Sequence, residues 1–577
     1  MTKKPLHIGI IGGGPASLFL FQKLIRLGED ISVTIFEKTG RLGAGMPYSK
    51  NGASEEHIAN VSAHELPELP IDVYSYLKEN HRVDYPDYYD GSDFNKYKVL
   101  PRLLLGDYLE DQYHRLLVKA EKENIPVKIY YNTIVEDLIP LEEGFKIINN
   151  STASIEVDIA VVCTGHFWFS KNETKIKNWF DCPYPPSKLS TVINTPVAIK
   201  GTSLTAVDAI RTLARANGLF FKENGKLKYE LKAECPDFRL DLFSTGGHLP
   251  AIRFHSEEEY FSYKWIMDEK EVEDYRSKNN GFIHLDHVFE VSFKKPMQEK
   301  DPQFYQLIKD ISIDEFAVFM MNRRDTQDPF VLFKKEYKEA EKSIREKKSI
   351  SWKETLSAFS YAMNYPAKHF PAEDMLRLKK IVMPLITIVI AELPQSSAEE
   401  ILTLHEMGLI TLTEVDKNSS VEVEDGKIIY KYKNNLNENI NRSYHAFVDA
   451  TGQKTINFNS FPYQTLKDLN IVDKAFLNFS SEVNIQEIKN NYSESKNIEL
   501  SGDKYILTVP GVNVGDNFEA INCLGKHSEN LYFMAVPMVG GLHPDYSGLD
   551  FCYTAAEKLV KAIATTLSNL KIKDDVA

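Results

Sequence analysis

The chain has 577 residues, of which 43% are hydrophobic and 29 are glycine, and a formal net charge of −14. This length predicts two to four globular domains, and an acidic balance with no basic tract excludes nucleic-acid and anionic-membrane partners, leaving a small molecule as the expected one. Cys163, Cys182, Cys235, Cys523 and Cys552 have neither CxxC nor metal-ligand spacing, so they read as reduced thiols in a cytoplasmic protein and no metal is expected.

The opening "MTKKPLHIGI" runs straight into a strand and leaves no room for a cleavable secretory segment. Ile8, Ile10 and Ile11 form that strand, Gly12 to Ser17 the turn, and Leu18 to Leu27 an apolar-periodic helix stopped by Gly28. A second strand carries Ile31, Val33 and Ile35 and ends at Glu37 and Lys38. In such a βαβ unit Gly12 makes the sharp turn, Gly14 admits a pyrophosphate to the helix N-terminus, and Pro15 and Ala16 of the same turn are expected at the cofactor. Glu37, 25 positions after Gly12, is placed for ribose hydroxyls, and Ser17 stands at the third glycine position, small enough for close helix–strand packing and expected with Gly12, Gly14 and Ala16 to cradle the pyrophosphate. FAD and NAD(P) both fit this unit. "RLGAGMPYS" then favours FAD, because Gly43 and Gly45 suggest more backbone laid against a ligand, with Arg41 facing its phosphates.

"VDIAVVCTGH" is a buried strand ending in Thr164 and Gly165, and Pro183, Pro185 and Pro186 mark a domain crossing. A second strand, turn and helix follow in "PVAIKGTSLTAVDAIRTLARANG", with Gly201 at the turn and Ser203 where the pattern wants its second glycine. Neither an acid nor an arginine follows the strand of "DLFSTGGHLPAIR", so NAD and NADP are not separated. Residues 255–400 carry helical patterns and read as an insert over the cleft. Within them "IVMPLITIVIAEL" is a core helix, too short for a membrane span. "SVEVEDGKIIYKY" is a hairpin turning at Asp-Gly, and "YHAFVDATGQ" repeats the strand and Thr-Gly device at Thr451 and Gly452. Near the end "MVGGLHPDYSGLD" supplies Gly540 and Gly541, and a helix starting at about Ser547 and Gly548 presents its N-terminus to the cofactor. The expected fold is α/β: two dinucleotide-binding (Rossmann-like) domains, one of them an FAD domain split between 1–185 and 445–577. A nicotinamide-like domain at 186–444, with the helical insertion, lies between the two parts.

The segments "GGGPAS", "GAGMPYS", "HIANVSAHEL", "PRLLLGDYL", "VVCTGH", "GTSLTAVDAIRTL", "STGGHLPAIR", "VDATGQ" and "NLYFMAVPMVGGLHPDYSGLD" resemble the FAD/NAD(P)-binding oxidoreductase family that is distantly similar to flavin-containing and N-hydroxylating monooxygenases. Ser203 and "STGGH", where relatives are rich in arginine, depart from its pattern and bear on the nicotinamide site. The resemblance implies FAD and NAD(P)H as cofactors, Val135 against the adenine, and Asn60 beside the flavin. Tyr48, His543 and Tyr546 are further pocket candidates. It also implies transfer of one oxygen atom from a C4a-hydroperoxyflavin to a nitrogen, sulfur or carbon centre. A flavin dehydrogenase or reductase without oxygen insertion, and a non-enzymatic FAD-binding sensor, remain alternatives; nothing in the sequence sets the oligomeric state.

Overall fold

Apolar runs buried on both faces build two largely parallel sheets, and the first strand of each unit, Leu6–Ile11 and Pro196–Lys200, ends at a glycine turn that feeds a helix. The structure is a computed structural model that describes residues 4–576 apart from 81–84, 86–87, 89–93, 152–153, 167, 169, 260–261, 435, 482, 493–495 and 546–547. The first sheet orders its strands as Glu519–Ile521, His527–Phe533, Ile159–Val162, Leu6–Ile11, Ile31–Phe36 and Val127–Tyr130, all parallel except the Glu519–Ile521 edge. Helix Pro15–Leu24 packs between Arg102–Lys122 and Gly548–Val576, with Phe21 stacked on Tyr113 at 5.6 Å and Phe19 edge-on to Tyr553 at 5.9 Å. Both ends of the chain therefore meet in one layered core.

The second sheet runs Trp179–Phe180, Ala446–Asp449, Pro196–Lys200, Arg239–Ser244 and Ile410–Glu414, parallel throughout. Val197, Ile199, Leu240 and Leu242 pack there on Ile210 and Leu213 of helix Leu204–Asn217. The two units repeat one local device. Gly12 has φ +105° and donates its N–H to Phe36 O at 2.8 Å; Gly201 has φ +115° and donates to Phe243 O at 2.8 Å. A Cβ on Gly12 would lie 2.8 Å from Cys163 O, and one on Gly201 2.6 Å from Ala450 O. Each Thr-Gly segment is thus the seat on which its own unit's turn glycine packs, which is why both strands end alike.

That pairing moves the expected domain boundaries. Trp179–Phe180 and Ala446–Asp449, assigned from sequence to the two parts of the FAD domain, both lie in the second sheet, Ala446–Asp449 registered on Val197 to Lys200. The crossings therefore fall before 179 and after 449, because the Ala450 carbonyl serves Gly201 rather than the first unit's turn. The helices within 269–390 also do more than sit on the middle unit. Phe289, Phe293, Phe316 and Phe359 join the first sheet's core, whereas Phe330, Phe333 and Ala340 of helix Pro329–Glu346 join the second. Leu385, Ile386 and Val389 of helix Met383–Ile390 are fully buried, and no helix among the described residues is long and apolar enough to cross a membrane. The hairpin Ser420–Glu424 to Lys427–Lys433 turns through Asp425 and Gly426, both at positive φ, as a two-residue turn of this type requires.

Candidate dinucleotide cavity and its side chambers

A cavity of about 700 Å³ opens at the C-terminal ends of the first sheet's strands, the place where open α/β sheets bind ligands. Gly12, Gly14, Pro15 and Ala16 line it at the N-terminus of helix Pro15–Leu24, where no side chain caps the first turn. A Cβ on Gly14 would meet only the neighbouring Gly45, at 3.4 Å, so the space beyond is open to a ligand. Glu37 is 7% exposed on the wall: Oε2 accepts from Gly13 N at 2.7 Å, and Oε1 accepts from the Thr39 N–H and hydroxyl at 2.7 and 2.8 Å. Lys38, Thr39, Val135, Thr164 and Gly165 complete that side, and Gly548 approaches from the N-terminus of the last helix. An uncapped helix N-terminus, an open glycine face and a carboxylate at the second strand's end fit a dinucleotide.

Several residues expected at the ligand are engaged elsewhere. Arg41 does not line the cavity; its Nε and Nη2 donate to Glu110 at 2.7 Å and Asp107 at 2.6 Å, which pins the 37–49 loop to helix Arg102–Lys122. Ser17 is fully buried, its hydroxyl 2.7 Å from Tyr113 OH, so it packs the helix rather than cradling phosphate. Gly43 serves a close approach, since a Cβ there would lie 2.5 Å from Leu109 O, while Gly45 does line the cavity. Gly541 is a packing glycine too, with a Cβ position 1.8 Å from Pro510 O. Ser547 and Tyr546 lie outside the described residues.

Two side chambers adjoin the main cavity, and Tyr48 lines all three spaces. The larger, about 410 Å³, brings Tyr48, Asn60, His543 and Gly540 together with Leu204 and Thr205 from the second unit's helix. Gly201 and Ser203 line none of these spaces; Ser203 is an exposed helix N-cap with no side-chain capping bond. The smaller chamber, about 150 Å³, holds Asn60, Glu65, Arg253, Glu392, Asp545 and Asp550.

Burial sets the protonation of these walls. His543 is 2% exposed and burial pushes it down to about 3, so at neutral pH it is uncharged, with Nδ1–H donating to Asn364 O at 2.8 Å. Burial pushes the Tyr48 hydroxyl up to about 12, leaving it a hydrogen-bond donor rather than a base. Asp550 is pushed up to about 7, first by burial and then by Asp545. Across the larger chamber Arg102 pairs with Asp208 at 2.5 Å, and Tyr184 OH donates to the same Asp208 oxygen at 2.6 Å. Burial alone would raise Asp208, but Arg102 and His57 hold it below the usual carboxylate range. Sequence reasoning missed this cluster, although an Asp on the apolar stripe of "LTAVDAIRTL" is a legible sign of a buried partner.

The family model described as FAD-NAD(P)-binding matches residues 9–167, and the model described as YdhS-like middle domain matches residues 268–390. The uncharacterized protein YdhS of Escherichia coli (strain K12) is 26% identical over 466 residues, covering 80% of this chain and 86% of that protein. Among solved structures, reduced ornithine hydroxylase of Pseudomonas aeruginosa aligns over 98% of this chain and 100% of its own at 11% identity and a TM-score of 0.48. Bacillithiol disulfide reductase of Staphylococcus aureus aligns over 98% and 99% at 10% identity and a TM-score of 0.42.

Fold, cavity and family match together define a flavoprotein oxidoreductase. Residues 9–167 match the FAD-NAD(P)-binding family model, and FAD and NAD(P)H are the cofactors that this match supports.

Proposed function

We propose that the protein is an NAD(P)H-dependent monooxygenase acting on a nitrogen, sulfur or carbon centre of a small molecule, with FAD in the first unit and the nicotinamide nucleotide reaching it from the second. The supporting observation is the larger chamber, where Tyr48, Asn60 and His543 face the N-terminal residues of helix Leu204–Asn217 across a space that shares Tyr48 with the main cavity. FAD, when bound, supplies acceptance of two electrons from NAD(P)H and reactivity with oxygen. The chain's own groups then govern where protons sit and whether water enters. Asn60 offers an amide donor at the chamber wall, Tyr48 keeps its proton through the physiological range, and His543 stays neutral. Apolar walls from Met46, Val536 and Pro537 limit the water beside them.

The direct test is anaerobic reduction of the FAD-loaded protein by NADH and by NADPH, followed by air and assays for hydrogen peroxide and oxygenated product. Peroxide equal to the nucleotide consumed, with no product from any amine, thioether or ketone tried, would favour the reading without oxygen insertion. A flavin that neither nucleotide bleaches would favour the sensor. Asn60→Ala is expected to leave FAD content and flavin reduction near wild type while diverting oxygen to peroxide. Product should fall by a factor on the order of 10 to 1000, the scale of losing a directed hydrogen bond at a reacting oxygen. Equal peroxide yield in mutant and wild type would make Asn60 a loop residue.

A further inference from the structure

Asn60 sits on strand Ile58–Ser62, whose ladder with Val99–Pro101 is interrupted: Ile58 pairs with Pro101 and Ser62 with Val99, with the register shifting between them. The Asn60 carbonyl is held instead by a side chain 193 positions away, Arg253 Nη1, at 2.9 Å. Arg253 is 5% exposed and lies between two buried carboxylates. Its Nη1 also donates to Glu392 Oε2 at 2.5 Å, and its Nη2 donates to Glu65. Each carboxylate is fixed in turn. Glu65 Oε2 accepts from the Ser62 N–H at 2.9 Å and hydroxyl at 2.7 Å, closing a capping box on the helical turn Ala63–Glu65 that follows the strand carrying Asn60. Glu392 Oε1 accepts from Ser357 Oγ of helix Ser351–Met363 at 3.2 Å. Glu392 itself has φ +42°, a left-handed backbone that is unfavourable for a residue with a Cβ and that lasts only where the surroundings impose it. The backbone of Arg253 is bound as well, its N–H donating to Leu393 O at 2.8 Å.

We propose that Arg253 is a positioning residue: it fixes the seat of Asn60 at the chamber wall and, through Glu392 and Ser357, ties that seat to the middle helical domain, whose family match ends at residue 390, two positions before Glu392. The fork of a guanidinium is what allows one side chain to hold a carbonyl and two carboxylates at once, which a lysine ammonium on a flexible stem does not reproduce. The inference gives the helical domain a part in the chemistry, as the support of one chamber wall, and its effect on oxygen rests on the monooxygenase reading.

Hydrogen exchange on the full chain with FAD bound tests the anchor without reference to turnover. Arg253→Lys is expected to speed amide exchange across residues 58–65 and 388–393 by about tenfold or more, while strand Ile31–Phe36 stays at the wild-type rate. Glu392→Gln keeps the Arg253–Glu65 pair, serves if the lysine variant fails to fold, and is expected to give a smaller rise at the same two segments. Wild-type exchange at 58–65 in the folded variants would overturn the anchor. The second arm measures peroxide released per nucleotide consumed. Arg253→Lys should raise it, and Arg253→Lys combined with Asn60→Ala should release no more than Asn60→Ala alone, because the arginine acts through the asparagine. Additive release would overturn positioning through Asn60. If wild type forms no product at all, the monooxygenase reading fails and the exchange arm alone decides the anchor.

Discussion

Two glycines two positions apart in one turn answer to different constraints, and the difference is testable. Gly12 needs its positive φ, so Gly12→Ala adds a left-handed cost of about 1–2 kcal/mol and a Cβ 2.8 Å from Cys163 O, and is expected to destabilise the apoprotein. Gly14 has φ −81° and no close protein neighbour except Gly45. Gly14→Ala should therefore melt within about 1 kcal/mol of wild-type stability yet purify without flavin absorbance, because its Cβ occupies the phosphate approach. A yellow Gly14→Ala protein would remove the cradle assignment. Asp550 offers a second residue-scale test. Its folded value, about 7, lies above that of an unfolded aspartate, so the folded state holds the extra proton between about pH 4 and 7 and stability falls as pH rises through that window. Asp550→Asn is expected to be more stable than wild type at pH 8, by about 2–4 kcal/mol, with the gap closing towards pH 4 in thermal melts. The turn glycines and Glu37 were legible because a βαβ unit is local. Arg41 and Ser17 were misplaced because their partners, Asp107, Glu110 and Tyr113, stand on a helix 66 or more positions away, which no local pattern reveals.

Among elements, the sequence disclosed identity better than neighbourhood. Both strand, turn and helix units, the Asp-Gly hairpin and the apolar Met383–Ile390 helix follow from spacing alone. The place of Ala446–Asp449 does not, because a buried parallel strand reads the same in either sheet; only its register against Pro196–Lys200 decides. The same holds for the helices of 269–390, whose apolar stripes state that a core exists and not which one. Helix Leu204–Asn217 carries a prediction at this scale. Its N-cap Ser203 is exposed, makes no capping bond and is extended at φ −82°, so glycine fits there at a cost of a few tenths of a kcal/mol. If nicotinamide phosphates approach this N-terminus, Ser203→Gly should tighten NAD(P)H up to about tenfold in a fluorescence titration and leave FAD content unchanged. Binding of neither nucleotide to wild type or variant would mean that the second unit keeps the fold without the ligand.

The whole molecule depends on how the two sheets are held beside each other, since the larger chamber is the gap between them. Asp208 projects from the second unit's helix Leu204–Asn217 to Arg102 on the first unit's helix Arg102–Lys122, and Tyr184, between the second sheet's strands Trp179–Phe180 and Pro196–Lys200, donates to the same carboxylate. His57 stands 3.3 Å from the Asp208 carbonyl and 3.2 Å from Thr212 Oγ1, and Thr212 donates to Glu56 at 2.7 Å, so polar contacts extend the join along one face of the helix. A pair at 5% exposure for Asp208 contributes little net stability when intact, yet losing one partner strands a charge without water. Asp208→Asn is therefore expected to lose about 3–5 kcal/mol at pH 7, read as a lowered melting temperature in scanning calorimetry of the FAD-loaded protein. The sign with pH follows from the depressed carboxyl: its contribution is present above the unfolded aspartate value and is lost as pH falls through the lower folded value, so wild type and variant should converge in acid. Because Arg102 and Tyr184 line the chamber that Asn60 and His543 also face, the same variant should weaken NAD(P)H-driven flavin reduction while FAD content is kept. A variant that melts with wild type at pH 7 and reduces its flavin at the wild-type rate would show that the units are held by their apolar contacts and that the buried pair is incidental to the gap between them.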